Sequence, residues 1–378
     1  MCPSTLGMRF FLLPLLATTA LAADDGWVDL FNGKDLSNWV NVNCAPETWS
    51  VVDGVIRCTG KPIGALRTPR MYENFEMEVE WRHMKNAGNA GIFIWASPIA
   101  AKGQPFLRAI EVQVLDHGYG NTKGYTTHGD VFPIHGSTMV PLGRHNGMRS
   151  FPSEERSKPS PEWNHYLITA KDGKLRLSVN GKEVSGGDDC NWRKGYVGLE
   201  SEGSPTEWRK VRIRELPGNS ATPEQTADEA KGHVQLYNGV DLRGWQGAEQ
   251  AKDFVPSDWR IALKAGAGGQ SIATEKEYGD FELVADVKLA KDAPESASGG
   301  IAIGSATAVA LPFQPKNGLK PGAWCRMVLT RKGTLVSGTV DGSEVAFRAL
   351  EDAKAARIHL VHGGAAVEVG NLYIRELK

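Results

Sequence analysis

Ionisable side chains crowd one stretch of this chain. Glu111, Asp116, His117, His128, Asp130 and His135 fall within 25 positions, and Arg144, His145, Arg149 and Arg156 follow in a long polar segment. Histidines mixed with carboxylates either bind a metal ion or move protons. The spacing of His117, His128, Asp130 and His135 matches no zinc signature such as H-E-x-x-H, and neither a G-x-S-x-G elbow nor a phosphate loop is present. Paired carboxylates for glycoside cleavage are available, since Glu111 and Asp116 are close in sequence and either could meet Glu200. The other reading of Glu111 and Gln113 is a solvated strand face.

The stretch opens on Ala109–Asp116, AIEVQVLD. As a strand it sends Ile110, Val112 and Val114 to one face and Glu111 and Gln113 to the other, away from an apolar core. The rest of the chain reads the same way. Phe75, Met77, Val79 and Trp81 alternate with Glu76, Glu78, Glu80 and Arg82, the period of a half-buried strand. Leu175, Leu177 and Val179 alternate with polar residues before an Asn180-Gly181 turn. With 43 glycines and 11 tryptophans in 378 residues, and no segment of helical period, the fold class is all-β, a β-sandwich of the jelly-roll kind.

The chain contains itself twice. The block Gly26–Trp39 returns as Gly232–Trp245, Tyr72–Met77 as Tyr278–Leu283, Gly91–Ile94 as Gly300–Ile303, Val179–Gly181 as Val340–Gly342 and Ile213–Leu216 as Ile374–Leu377. Trp163 and its strand match Trp324 and its strand. The copies differ in one place: Ile94 and Trp163 are 69 positions apart, whereas Ile303 and Trp324 are 21 apart. The polar stretch is therefore an insertion in the first copy, and long insertions in compact domains are usually functional or disordered. The second copy is expected to lack the EVQVLD strand altogether. The domains are then 23–216 and 232–378, joined by a Pro-, Ser-, Thr- and Ala-rich linker over 217–231, and residues 23–216 are expected to suffice for any activity.

Residues 1–22 read as a signal peptide, with Arg9, an apolar run Phe10–Leu16 and an Ala20-Leu21-Ala22 cleavage site. The mature protein is expected to be secreted or periplasmic, with no membrane attachment after cleavage. A net charge of −1 gives no footprint for nucleic acid. Four cysteines remain after cleavage. Cys44 and Cys58 flank a hairpin with Asp53-Gly54 at its turn, and an oxidising compartment permits a bridge between them; bridge and free thiols stand as equal alternatives.

The first copy resembles the 3-keto-disaccharide hydrolase domain family, concanavalin A-like in fold. The blocks that carry the resemblance are LFNGKDLSNW within Gly26–Trp39, Asn74–Trp81, GNAGIFIW at Gly88–Trp95, EVQVLD at Glu111–Asp116, Gly129–Phe132, EWN at Glu162–Asn164, VNG at Val179–Gly181 and Gly198–Glu215. The resemblance implies cleavage of glycosides already oxidised to a ketone at C3. That ketone acidifies the C2 proton; its removal gives an enolate that expels the C1 substituent, and water then adds to the enone. One base, one stabiliser of enolate charge and one acid are needed. The resemblance makes Glu111 the first candidate base and Asp116 the second. His128 and His135 become donors to the enolate or leaving oxygen, or holders of a divalent metal together with Glu111 and Asp116. Gln113, Asp130, Arg149 and Asn164 become candidates for sugar hydroxyls, and Trp95 and Trp163 for stacking, with core packing as the competing role for both tryptophans. Where many members carry a Gln and then a His, this chain has Glu200-Ser201-Glu202-Gly203, so Glu200 enters as a second acid–base group. The alternative function is a non-catalytic carbohydrate-binding module, because the fold also serves lectins. The second copy is expected to pack on the first, shape a cleft rim, bind glycan or do nothing.

Overall fold

The structure is a computed structural model and describes residues 26–295 and 298–378; the signal-peptide assignment lies outside them. The described residues form four antiparallel sheets, two from each copy. The first copy supplies a nine-stranded and an eight-stranded sheet packed as a jelly-roll sandwich; the second repeats the plan with eight and five strands. Helix is confined to four short 3-10 turns among the described residues.

The alternation seen in the sequence explains the layers. In the strand Phe75–His83, Phe75, Met77, Val79 and Trp81 are buried in the first core. Their neighbours form a cross-strand ladder of ion pairs with the strand Thr206–Glu215: Glu76 with Arg214, Glu78 with Arg212, Glu80 with Arg209 and Lys210, and Arg82 with Glu207. That outer face is solvated and charge-balanced. The eight-stranded sheet turns Ile92, Ile94, Ile110, Val112, Val131 and Leu199 into the same core. Its outer face carries the site.

Part of that outer face is covered by the second copy. A separate apolar cluster joins Val42, Ala65, Phe93 and Tyr196 to Val284 and Tyr373. The loop between the strands Asn89–Ala96 and Ala109–Leu115 is clamped there. The Asn371 amide donates to the carbonyls of Ala101 and Gln104, each at 2.9 Å, and Gly103 N–H donates to Asp286 at 2.8 Å. Gly103 has φ +69, and a Cβ there would lie 2.5 Å from the Trp324 ring. The loop is docked too closely for a larger residue.

The structure adds to two sequence readings, the linker and the cysteines, and corrects a third, the missing strand. The segment 217–231 is strapped down: Glu73 accepts from the backbone N–H groups of Asn219, Ser220 and Ala221, Ala227 N–H donates to Lys194 O, and Ala230 N–H donates to Tyr196 Oη. The second copy does have a counterpart of the EVQVLD strand, a four-residue Val309–Pro312 pairing with Ser298–Ile303. Its shortness and apolar sequence hide it from a motif comparison. Cys44 and Cys58 flank the expected hairpin but are buried free thiols. Burial pushes both thiol pKa values up, that of Cys58 to about 11.

Candidate active site

Three neighbouring strands of the eight-stranded sheet build the site: Asn89–Ala96, Ala109–Leu115 and Tyr196–Ser201. Register sets the geometry. Glu111 lies opposite Phe93, Gln113 opposite Gly91, and Leu199 opposite Ile92, which brings Glu200 beside Gly91. Gly91 has no side chain, and the two glutamates use the space. A Cβ on Gly91 would sit 2.8 Å from Glu111 Oε1 and 2.9 Å from Glu200 Oε2. Glu111 is 6% and Glu200 1% exposed, so the outward strand face is a buried carboxylate pair rather than a solvated surface.

A polar chain runs away from the pair. The Asn89 amide donates to Glu202, and Gln113 Nε2 donates to Asn89 Oδ1 at 2.9 Å and to Ala90 O at 3.1 Å. Arg149 Nη1 donates to Gln113 Oε1 at 3.3 Å and to Asp130 Oδ2 at 3.0 Å, and its guanidinium lies 3.4 Å above the Phe132 ring. Asp130 is fully buried and also accepts from Thr126 N–H at 3.0 Å. Tyr166 reaches up from the core to donate to Gln113 O at 2.9 Å. The members of this chain are thus each fixed by a partner.

Burial dominates the electrostatics. It lifts the Glu111 carboxyl, helped by the charge of Glu202 and opposed by Arg149, to about 8. Burial, then the charges of Glu111 and Glu202, hold Glu200 well above the ordinary carboxylate range. Glu202 is raised less, because a hydrogen bond from Glu200 and the charge of Arg149 oppose its burial. Three carboxyls facing one arginine cannot all ionise near neutrality, so Glu200 keeps its proton. Its Oε2, the atom beside Gly91, has no hydrogen-bond partner.

Of the residues singled out from sequence, Glu111, Gln113, Asp130, Arg149 and Glu200 meet here. The others are placed elsewhere. Asp116 accepts from the backbone N–H groups of Ala87, Gly118 and Ser160 at 2.8–2.9 Å. Burial acts to raise its pKa, but these bonds together hold it below the usual value, which suits an anchor of the loop. His128 turns toward His117, and His135 lines a cavity of about 460 Å³ between the copies, with Ser97, Arg108 and Glu282. Asn164 ties the 158–162 loop through Lys158 N–H at 2.7 Å and Lys158 O at 2.9 Å. Trp95 is fully buried because a bulge at this point of its strand turns the ring into the core, where Nε1 donates to Glu73 O at 2.8 Å. Trp163 is sandwiched by Arg82 and Arg209 over the ion-pair ladder, on the other sheet. Neither tryptophan reaches the carboxylates, so both serve packing. The metal candidates Glu111, Asp116, His128 and His135 do not converge. Among the described residues, the one group of three with ligand atoms all within 4.8 Å is His117, His128 and Glu155.

Sequence reasoning missed Asn89, Gly91, Phe132 and Glu202 as members of the site. Gly91 was visible within GNAGIFIW, but only the cross-strand register shows that its missing side chain makes room for two carboxylates.

The fold and the site together define an all-β jelly-roll protein with a buried carboxyl pair on the outer face of one sheet. The particular family follows from sequence: the 3-keto-alpha-glucoside-1,2-lyase-like domain matches residues 26–214 and 232–318, more than half of the chain, and the chain belongs to that family. The match takes in the first copy and the opening part of the second. Two solved structures from Parabacteroides distasonis, provisionally described as glycosyl hydrolases, are 22% and 25% identical over 51% and 50% of this chain and 94% and 99% of theirs, each with a TM-score of 0.39. The carbohydrate-binding module CBM66 from Bacillus subtilis is 13% identical over 48% of this chain and 98% of its own, with a TM-score of 0.34. No curated protein matches the sequence.

Proposed function

We propose that the protein is an exported enzyme that cleaves 3-keto-glycosides by C2 proton abstraction and elimination of the C1 substituent, and that residues 23–216 hold the reacting groups. The observation that carries this is the Glu111–Glu200 pair over Gly91, one carboxyl poised to ionise and the other held protonated. A base with a pKa near the working pH is the most effective kind, and about 8 for Glu111 meets that condition.

Glu111 takes the C2 proton, and the electron pair moves into the C3 carbonyl to give an enolate. Arg149, fixed against Asp130 and Phe132, supplies the positive charge that the enolate oxygen needs. The enolate collapses, the C1–O bond breaks, and Glu200 gives its proton to the leaving oxygen. Glu200 is then an anion and Glu111 is neutral, so one proton has crossed the pair. Water adds to the enone to give the free 3-keto sugar.

The test is incubation of the purified chain with matched 3-keto and unmodified glucosides. Aglycone release is expected from the keto substrate alone and is expected to disappear in Glu111→Gln. Release from unmodified glucosides, or full activity in Glu111→Gln, would overturn the reading.

A further inference from the structure

The rings of His117 and His128 stack with centres 5.0 Å apart and planes 23° from parallel. Glu155 reaches across from the second long loop of the insertion, its Oε1 3.3 Å from His117 Nε2. We propose that His117, His128 and Glu155 form a binding site for a first-row transition ion, zinc foremost, which clips the two long loops of the insertion together.

Three observations support it. Two imidazoles on one tetrahedral ion, with metal–nitrogen bonds of about 2.0–2.1 Å, have ring centres about 5 Å apart, which is the spacing found. The donor set of two nitrogens and one carboxylate oxygen suits zinc, cobalt or nickel and not calcium or magnesium, which take oxygen. His128 is oriented as ligating histidines are: Nδ1 is 3.0 Å from Thr127 Oγ1, leaving Nε2 toward His117, where its partner is a 3.2 Å contact from Ser157 N–H.

The placement gives the ion a task. His117 opens the loop that Asp116 anchors, His128 stands two residues before Asp130, and Glu155 lies in the segment between Arg149 and Asn164. Ser157 touches both histidines, its Oγ 2.9 Å from His117 Nε2 and its N–H 3.2 Å from His128 Nε2, and is the residue that a bound ion or its water would displace. Without the ion the loops meet here through the Ser157 contacts, the His117–Glu155 approach and the Ser160 to Asp116 bond. The site is separate from the Glu111–Glu200 pair and does not depend on the keto-glycoside reading.

The experiment uses the full chain, stripped with chelator and titrated with zinc and with cobalt. One ion per chain is expected, with the visible absorption of four-coordinate cobalt and a higher thermal midpoint on zinc addition. His117→Ala and the exposed Glu155→Gln are each expected to weaken binding at least tenfold and to remove the thermal gain. Glu111→Gln is expected to bind as the parent does. No binding, binding unchanged in both His117→Ala and Glu155→Gln, or binding lost in Glu111→Gln would overturn the proposal. Glu155 is exposed and its replacement leaves the fold intact, so its result stands even if a histidine variant misfolds.

Discussion

The two copies share the central strands of one sandwich plan and part company at the carboxylates. In the first, Gly91 faces Gln113 and has Glu200 beside it, while Glu111 faces Phe93. In the second, Gly300 faces Pro312 and Val361, and Val309 faces Ala302. The positions of Glu111, Gln113 and Glu200 are thus taken by Val309, Pro312 and Val361. Elsewhere the correspondence extends to side-chain geometry: Tyr72 meets Phe75 edge-on at 6.0 Å and 68°, and Tyr278 meets Phe281 at 6.4 Å and 72°. The second copy therefore shows that this sandwich folds with valines where the first keeps two buried carboxyls. Buried carboxyls without a full set of partners oppose folding. Their presence in one copy alone is what the proposed function accounts for.

The sharpest way to break the comparison is to make the first copy like the second. Glu111→Val with Glu200→Val should abolish release from the keto substrate, by about a thousandfold or more given what a base and an acid each contribute, while the thermal midpoint holds or rises. A double variant that still turns over would mean that the carboxyls are not the reacting groups.

Removing the second copy comes next in size. Sequence comparison alone predicts that residues 23–216 suffice. The structure leads to the opposite expectation, since truncation bares Val42, Ala65, Phe93 and Tyr196 and frees the loop around Gly103. The truncated chain is expected to aggregate or to lose most activity. A milder form is Asn371→Ala, which strips partners from Ala101 O, Gln104 O and Asp286 and should cost about 2–4 kcal/mol in denaturant melts. A soluble and fully active 23–216 fragment would restore the sequence-based view.

Gly91→Ala tests the floor of the pair. The added methyl meets the far ends of two flexible side chains, so the fold should survive while the carboxyls are pushed apart. A drop of about ten- to a hundredfold in kcat with little change in stability is expected, from misplacement alone. The equivalent Gly300 has φ +149 and backbone within 2.4 Å of a Cβ, so Gly300→Ala should instead lower stability and leave kcat unchanged.

How much of this could be read from the chain depends on the kind of signal. Strands show in alternation, and the duplication shows in repeated blocks, because both leave local patterns. Glu111, Gln113 and Arg149 were reachable for the same reason, since they belong to a polar stretch that only one copy has. Asp116, Asn164 and the two tryptophans are as conspicuous in sequence but serve to anchor loops or fill the core, and no local pattern separates an anchoring carboxylate from a reacting one. Glu202 and Asn89 were hidden because they join the site through sheet register between strands more than a hundred residues apart. The docking of the second copy was hidden as well: Val42, Ala65 and Phe93 look like any outward strand positions until Val284 and Tyr373 cover them.

The smallest expected effect concerns Glu200 and pH. In the unfolded chain its carboxyl titrates near 4.5, whereas in the folded chain burial keeps the proton on well above that. Between those values the folded state binds more protons than the unfolded state, so stability must fall as pH rises through the window. Glu111, raised to about 8, acts in the same direction. Asp116, lowered, contributes stability that is present above its unfolded value and is lost only as the pH falls below it, so it does not mask the slope. Glu200→Gln is neutral at every pH and keeps an amide to donate to Glu202. It should raise stability by about 1–3 kcal/mol at the alkaline end of the window and flatten the decline of the thermal midpoint between about pH 5 and about pH 8. In catalysis the same variant should slow release of a poor alkoxide leaving group more than that of a nitrophenolate, which departs without a proton. Equal slowing of both would remove Glu200 as the acid and leave it only the role of holding Glu202.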